Sequence, residues 1–386
     1  MATENVETIG SGGGRADMAT WESTHSVDIT VAGTDTIEIG ELLNEDHTEG
    51  MITIGGATVD ATHYRHLRVA TGAEHDGIEN AGARVQTTGS SHAFEVTELH
   101  VIMEGFEIIK GGSQSNSDEG IRFSVAGKGY ARKLLIHGLI AFEQDALYTA
   151  TDGADIEVEN CFLYGNARCG INTQALAANL TMNWAVRNCT FYNNGPSLTP
   201  LSGTQGGNVA GWSLSSGISI IYNVDGCLSF GSSAHSFNKA STSVGIRNNI
   251  EFHGDHNITD DDGGDTYGTG TGMFESGEGA NNAINKTFTE GNPAAGEVGI
   301  VDLTASVYDL HLFDDADNIA VDFGVYLAAM SADVDIDGDA RPGSGSWDAG
   351  ADEIPVASEV RPSSTRLKFI GQRVPTTRFA TNRGVT

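Results

Sequence analysis

The chain has 386 residues and a formal net charge of −31, from 52 acidic against 21 basic side chains. Such a surface repels nucleic acid and anionic membranes, and the sequence has no run of about 18 apolar residues, the length needed to cross a bilayer. Glycine is abundant at 50 and proline scarce at 7, as suits many tight turns with few rigid breaks. The carboxylate density and the excess of arginine over lysine fit a protein from a saline habitat, and they also fit an ordinary acidic surface.

Residues 1–30 read as a lead and a cap. Met1 to Gly14 is polar, with no basic start followed by an apolar core, so no secretory leader is expected there and the protein is expected to be assembled from the cytoplasm. Gly10-Ser11-Gly12-Gly13-Gly14 reads as a flexible lead, because no strand precedes it to make a phosphate loop. Arg15 to His25 predicts a short helix with Met18 and Trp21 on one face, suited to cover the apolar end of a stack of strands. Strands are predicted at Thr36–Ile39, Met51–Ile54, His66–Val69, Phe94–Val96 and Leu99–Met103.

The organising stretch is Glu159-Asn160-Cys161-Phe162-Leu163-Tyr164. Altered forms begin at Glu104, His137, Arg187, Asp225 and Arg247, with starts 33, 22, 28, 38 and 22 residues apart. A fixed frame with irregular spacing predicts a solenoid whose coils carry loops of different length. Gly or Asn in the frame tolerates the left-handed conformation of a sharp corner. Cys161, Cys189 and Cys227 share one frame position and should form one interior column. Asn160, Asn188 and Asn248 should line a corner and bond rung to rung. The fold class is therefore all-β, a right-handed parallel β-helix over 31–258, with a β-sandwich as the alternative. Solenoid spacing in place of CxxC spacing argues against a zinc site, and no disulfide is expected.

Two polar loops follow from composition, Thr199–Asn208 and Thr259–Gly272. Residues 259–354 form a C-terminal β region, with strands predicted at Val298–Leu303, Leu310–Phe313 and Ile319–Phe323. Residues 355–386 form a basic tail holding Arg361, Arg366, Lys368, Arg373, Arg378 and Arg383 against one acid, Glu359. These cations are candidates for docking on an acidic neighbour or on the chain's own body; a disordered solubilising tail is the alternative.

Asp335-Ile336-Asp337-Gly338, Arg341-Pro342 and then Trp347-Asp348-Ala349-Gly350-Ala351-Asp352-Glu353 are similar to the ending of many right-handed parallel β-helix repeat proteins, with Ala349 in place of the usual Ile or Val. Met18-Ala19-Thr20-Trp21-Glu22 and Gly55-Gly56-Ala57-Thr58-Val59-Asp60-Ala61-Thr62-His63-Tyr64 resemble the opening of β-helix proteins encoded among structural genes of tailed viruses. The closing motif implies the fold and is silent on activity; the opening motif points to virions.

Candidate chemistry is sparse. Asp333, Asp335 and Asp337 match the first half of a calcium loop, but Ser344 stands where a bidentate Glu is required, so neutralisation by Arg341 is the preferred reading and no cofactor is expected. Asp260, Asp261, Asp262 and Asp265 read as a solvated turn, and His253, Asp255 and His256 as structural. Asp155, Glu157 and Glu159 alternate on one strand and share a face, so they are the catalytic candidates for glycan cleavage by paired carboxylates. Walker, Rossmann and nucleophile-elbow motifs are absent.

The expected function is a non-enzymatic surface protein of a tailed virus: capsid decoration, turret, spike or tail-fibre part. It would associate with other virion proteins of the capsid or tail, as a homo-oligomer with a trimer favoured on resemblance to viral spikes, and its loops would face a host-surface glycan. The alternatives are a tailspike-like polysaccharide depolymerase and a cell-surface adhesin.

Overall fold

The computed structural model describes residues 2–110, 118–141, 144–175, 179–195, 207–213, 217–232, 235–241, 250–260, 264–265, 281–303, 308–324, 334–336, 338–342 and 346–354. The described residues belong to one compact unit, Met1–Ile354. The six cations of the basic tail, the loop residues 196–206, and Asn248, Asp261, Asp262, Asp333 and Asp337 lie outside the described residues.

The strands from Thr3–Ile9 to Gly264–Asp265 build a right-handed parallel β-helix. Each coil contributes one strand to each of three parallel sheets. A long nine-stranded sheet begins with Thr3–Ile9 and Thr36–Leu42 and runs through Lys128–Arg132, Asp155–Glu159, Thr181–Arg187 and Ser219–Asp225 to Ile250–His253. A second sheet of eight strands includes Ile121–Phe123, Asp145–Thr149 and Cys169–Ala175. A third, also of eight, includes Leu135–His137, Phe162–Tyr164, Thr190–Tyr192, Leu228–Phe230 and Ile258–Thr259. The right hand is the one that crossovers between parallel strands take.

The turn from long sheet to third sheet is the sharp corner. Lys133, Asn160, Asn188 and Gly226 occupy it in successive coils with φ of 49°, 53°, 47° and 65°. The next residue points inward, giving the column Leu134, Cys161, Cys189 and Cys227, all fully buried. Each sulfur accepts a backbone N–H from the coil before: Leu134 N–H to Cys161 Sγ at 3.4 Å and Cys189 N–H to Cys227 Sγ at 3.4 Å. Asn257 continues the column, and its Oδ1 takes the Cys227 N–H at 3.0 Å. All four cysteines are free thiols in the interior.

Two of the six repeat frames are corrected by the register. Leu135 pairs with Phe162 and His137 with Tyr164, so the corner before Leu135–His137 is Arg132-Lys133-Leu134, and the His137-Gly138 frame sits one turn too late. Ile250 pairs with Ile220 in the long sheet, so Arg247–Phe252 is no corner frame; its true counterpart is Asp255-His256-Asn257. Lys133 and His256 hold the left-handed position at φ 49° and 57° without being Gly or, for these two, Asn. The Gly/Asn cue fails at both.

The rung-to-rung amide ladder is also elsewhere. Asn160 Nδ2 donates to the Val334 carbonyl at 2.7 Å instead of to the next rung. The ladder is Asn166–Asn194–Asn208, at the turn leaving the third sheet, with Nδ2 to Oδ1 distances of 3.0 and 2.8 Å. All three are fully buried, so each amide satisfies a neighbour that water cannot reach.

The N-terminal lead is itself structured. Thr3–Ile9 pairs along its whole length with Thr36–Leu42 and begins the long sheet. The helix is Met18–His25, capped by Asp17, whose Oδ1 accepts the Thr20 N–H at 2.7 Å. Met18 and Trp21 join the interior cluster, so the helix closes the first coil.

The C-terminal region folds back over the outer face of the third sheet. Phe288–Glu290, Val298–Asp302 and Asp309–Leu312 form a small mixed sheet. Ile319–Phe323, expected as a strand, consists of turns, one of which puts Asp322 at φ 57°. Val298, Ile300, Leu310 and Leu312 pack with Leu135, Phe162, Leu228 and Phe230 in a second apolar cluster separate from the interior.

Candidate functional site

The catalytic candidates Asp155, Glu157 and Glu159 do share the outer face of one long-sheet strand, where burial alternates with the inward Ile156 and Val158. Each is engaged by a cation from a neighbouring rung. Lys128 Nζ lies 3.0 Å from Asp155 and 2.5 Å from Glu157. Arg187 Nη1 is 3.2 Å from Glu159, and Arg132 Nε approaches the same carboxylate at 3.2 Å. Rungs ~4.8 Å apart place such side chains side by side.

A different cluster, which the sequence reading missed, lies on the outer face of the second sheet. Register stacks Glu95, Arg122, Tyr148 and Asn172 in one outward column. The Arg122 guanidinium covers the Tyr148 ring at 5.4 Å, and Arg122 Nη1 is 3.2 Å from His92 Nε2. Asp145 accepts Arg168 in a two-pronged contact, with Nε to Oδ1 at 2.9 Å, and takes Asn172 Nδ2 at 2.9 Å. Glu119 contacts His92 Nδ1, which also accepts the Glu119 N–H at 3.1 Å. Burial raises Glu119 from the ordinary glutamate value, against the pull of His92. Burial and Glu119 together raise the Tyr148 phenol to about 12.

A carboxyl whose proton affinity is raised, beside one held by a guanidinium, is the pattern of an acid/base pair, and equally that of a structural ion network. Exposure decides between them. Glu119 is 2 % exposed, Asp145 0 % and Arg168 3 %, so a substrate atom could not reach them in this conformation. No sequence signal pointed here, because the members are brought together only by the pairing of rungs.

The calcium-like segment does other work. Asp335 uses one oxygen on the Asp339 N–H at 2.7 Å and the other on the Glu353 N–H at 3.0 Å. Arg341 is buried across the Trp347 ring at 5.3 Å and donates to Glu353 at 2.7 Å, the Gly350 carbonyl at 3.0 Å and Asn160 Oδ1 at 3.3 Å. Burial raises Glu353 to about 7, opposed by Arg341. Gly350 N–H reaches the Gly226 carbonyl at 2.6 Å, and Ala351 N–H reaches Thr190 Oγ1 at 3.2 Å. The motif is therefore a clasp that fastens the chain's C-terminal region to three successive corners. Among the described residues no group of His, Cys, Asp and Glu could hold a metal ion.

The remaining candidates also have local partners. Asp260 Oδ2 accepts the Gly231 N–H at 2.6 Å, His253 lies 3.1 Å from Glu251, and His256 lies 3.5 Å from Asp255.

No protein-family profile matches the chain, and no curated protein matches it. Among solved structures it is similar to the pectin methylesterase from Aspergillus niger, with a TM-score of 0.40 and 13 % identity over 71 % of this chain and 91 % of that one. It is also similar to pectate lyase Pel9A, with a TM-score of 0.42 and 12 % identity over 82 % and 88 %.

Proposed function

We propose that the chain is a non-catalytic structural β-helix on the surface of a tailed-virus particle, a rigid spacer that presents loops to a host-surface glycan. The observation that supports this reading is the state of the outward acids. Asp155, Glu157 and Glu159 are engaged by Lys128, Arg132 and Arg187, and Glu119 and Asp145 are closed off from solvent. Neither group therefore offers a carboxylate pair that is both unengaged and open to solvent, as cleavage of a glycosidic bond requires. The opening motif's resemblance to virion β-helix proteins adds the setting. Other capsid or tail proteins are the partners, a homotrimer is the assembly, and the basic tail is the anchor.

The test is to purify particles from producing cells and quantify the protein by mass spectrometry. The chain should be present at fixed stoichiometry, and deletion of residues 355–386 should remove it from particles while leaving the folded body. Particles lacking the full-length chain would overturn the reading.

The Glu119–Asp145 cluster favours a second reading, a polysaccharide depolymerase whose site opens on binding. Release of reducing ends from host polysaccharide, abolished by Glu119→Gln, would establish it in place of the first.

A further inference from the structure

We propose that a groove at the far end of the third sheet binds a saccharide carrying isolated carboxylates. The proposal rests on the glycan-contacting part of the function above and names the site and the ligand chemistry.

The groove has a volume of about 630 Å³. That lies within the range of small-ligand sites, ~300–1,000 Å³. Its floor extends the solenoid by part of a rung: Ala283 bridges Ile258, Thr259 N–H donates to the Ala283 carbonyl at 2.9 Å, and Lys286 N–H to the Thr259 carbonyl at 2.9 Å. Asn282 is fixed beneath it, accepting the Asn257 N–H at 2.7 Å and donating to the Gly254 carbonyl at 3.1 Å. The wall is Asp322–Phe323. Asp322 N–H is held by Asp348 Oδ1 at 2.6 Å, which keeps this non-glycine residue in the left-handed region. The Phe323 ring stands edge-on to His256 at 6.0 Å.

Lys286 differs from most cations of the described surface. Arg15, Arg68, Arg84, Lys128, Arg132 and Arg187 each engage a carboxylate. Lys286 engages none among the described residues, although the chain carries 52 acids. Asp322, like many of the chain's acids, has no cation within ion-pair distance among the described residues. Both line the groove together with Phe323 and with Ile284, which is 43 % exposed. An ammonium with no carboxylate among the described residues suits a carboxylate ligand, Asp322 suits hydroxyls, and the aromatic and aliphatic side chains suit the apolar face of a sugar ring. The net charge of −31 disfavours a polyanion, so the carboxylates must be spaced out.

Isothermal titration at ~0.15 M salt, where long-range repulsion is screened, tests this. The probes are a tetrasaccharide alternating glucuronate with N-acetylglucosamine and the neutral tetramer of N-acetylglucosamine. The alternating probe should bind several-fold tighter, Lys286→Gln should remove that preference, and Asp322→Asn should weaken both. Unchanged urea midpoints would show that the variants fold. Equal binding of both probes, binding of neither, or a preference that survives Lys286→Gln would overturn the proposal. Lys286→Gln should still enter particles, so loss of the sugar preference and loss of the virion role are read separately.

Discussion

The long sheet and the third sheet are built from the same coils, yet their outer faces differ. Along the long sheet, outward positions are polar and half-exposed, as in Asp155, Glu157, Asn183 and Arg187, and burial alternates residue by residue. Along the third sheet all of Phe162-Leu163-Tyr164 and Leu228-Ser229-Phe230 are buried. One face meets water; the other is a second interior, roofed by the C-terminal region and by residues 70–83. Ile78 bridges Asp309, and Tyr164 OH donates to Glu79 at 2.7 Å. A strand covered on both faces loses its alternation, whereas a strand covered on one face keeps it.

The largest expected effect breaks that contrast by releasing the roof. Arg341→Ala would strand four acceptors at once, the Glu353 carboxyl, the Asp348 and Gly350 carbonyls and Asn160 Oδ1, a loss of ~3–5 kcal/mol. Urea unfolding should show the drop, and binding of a hydrophobic dye should rise as Phe230 and Leu228 become accessible. Within the solenoid, Asn194→Ala interrupts the amide ladder and strands partners at Asn166, Asn208 and the Leu163 carbonyl, at ~1–3 kcal/mol, again read by urea unfolding.

Acid should act on the roofed side. His75 donates from Nε2 to the Lys133 carbonyl at 2.8 Å and accepts the Gly77 N–H at Nδ1 at 2.9 Å, so it is held neutral. Burial depresses it from 6.5 to about 4, offset in part by the Lys133 hydrogen bond and Glu107. The unfolded chain therefore takes up this proton first. The stability His75 contributes is complete above pH 6.5 and is lost as pH falls towards 4. His75→Gln should reduce the fall in urea midpoint between pH 7.5 and 4.5. Glu353 has the opposite sign: its folded value of about 7 exceeds 4.5, so its contribution declines as pH rises through that window, and Glu353→Gln should flatten it. On the open face, Glu157→Gln should cost no more than ~1 kcal/mol, because its partner Lys128 is itself about a third exposed. A larger loss there would mean that the long sheet is not the bare face.

Much of the solenoid was legible because the corner imposes a local demand. Asn160, Asn188 and Gly226 advertise the left-handed turn, and Cys161, Cys189 and Cys227 advertise the small inward position after it. Where Lys133 and His256 adopt the same turn, held by the stacked coils around them, the cue vanished and the frame slipped. The roof was half-written: the continuous apolar run Phe162–Tyr164 signals two-sided burial, whereas Leu228-Ser229-Phe230 reads as an alternating strand. What covers them is far away in sequence. The clasp motif was visible as a motif, but its contacts with Asn160, Thr190 and Gly226 depend on which corners come together in space. The Glu119–Asp145 cluster and the Lys286–Asp322 groove depend on such juxtapositions throughout.

The contrast between the two faces is tested most directly by thiol labelling, since all four native cysteines are buried and should stay silent. In the folded protein Asn223→Cys, at an exposed position on the long sheet, should react with a maleimide at the rate of a free thiol. Leu228→Cys, on the third sheet, should be protected until Arg341→Ala is added. Rapid labelling of Leu228→Cys in the intact protein, or of the native cysteines, would contradict the account.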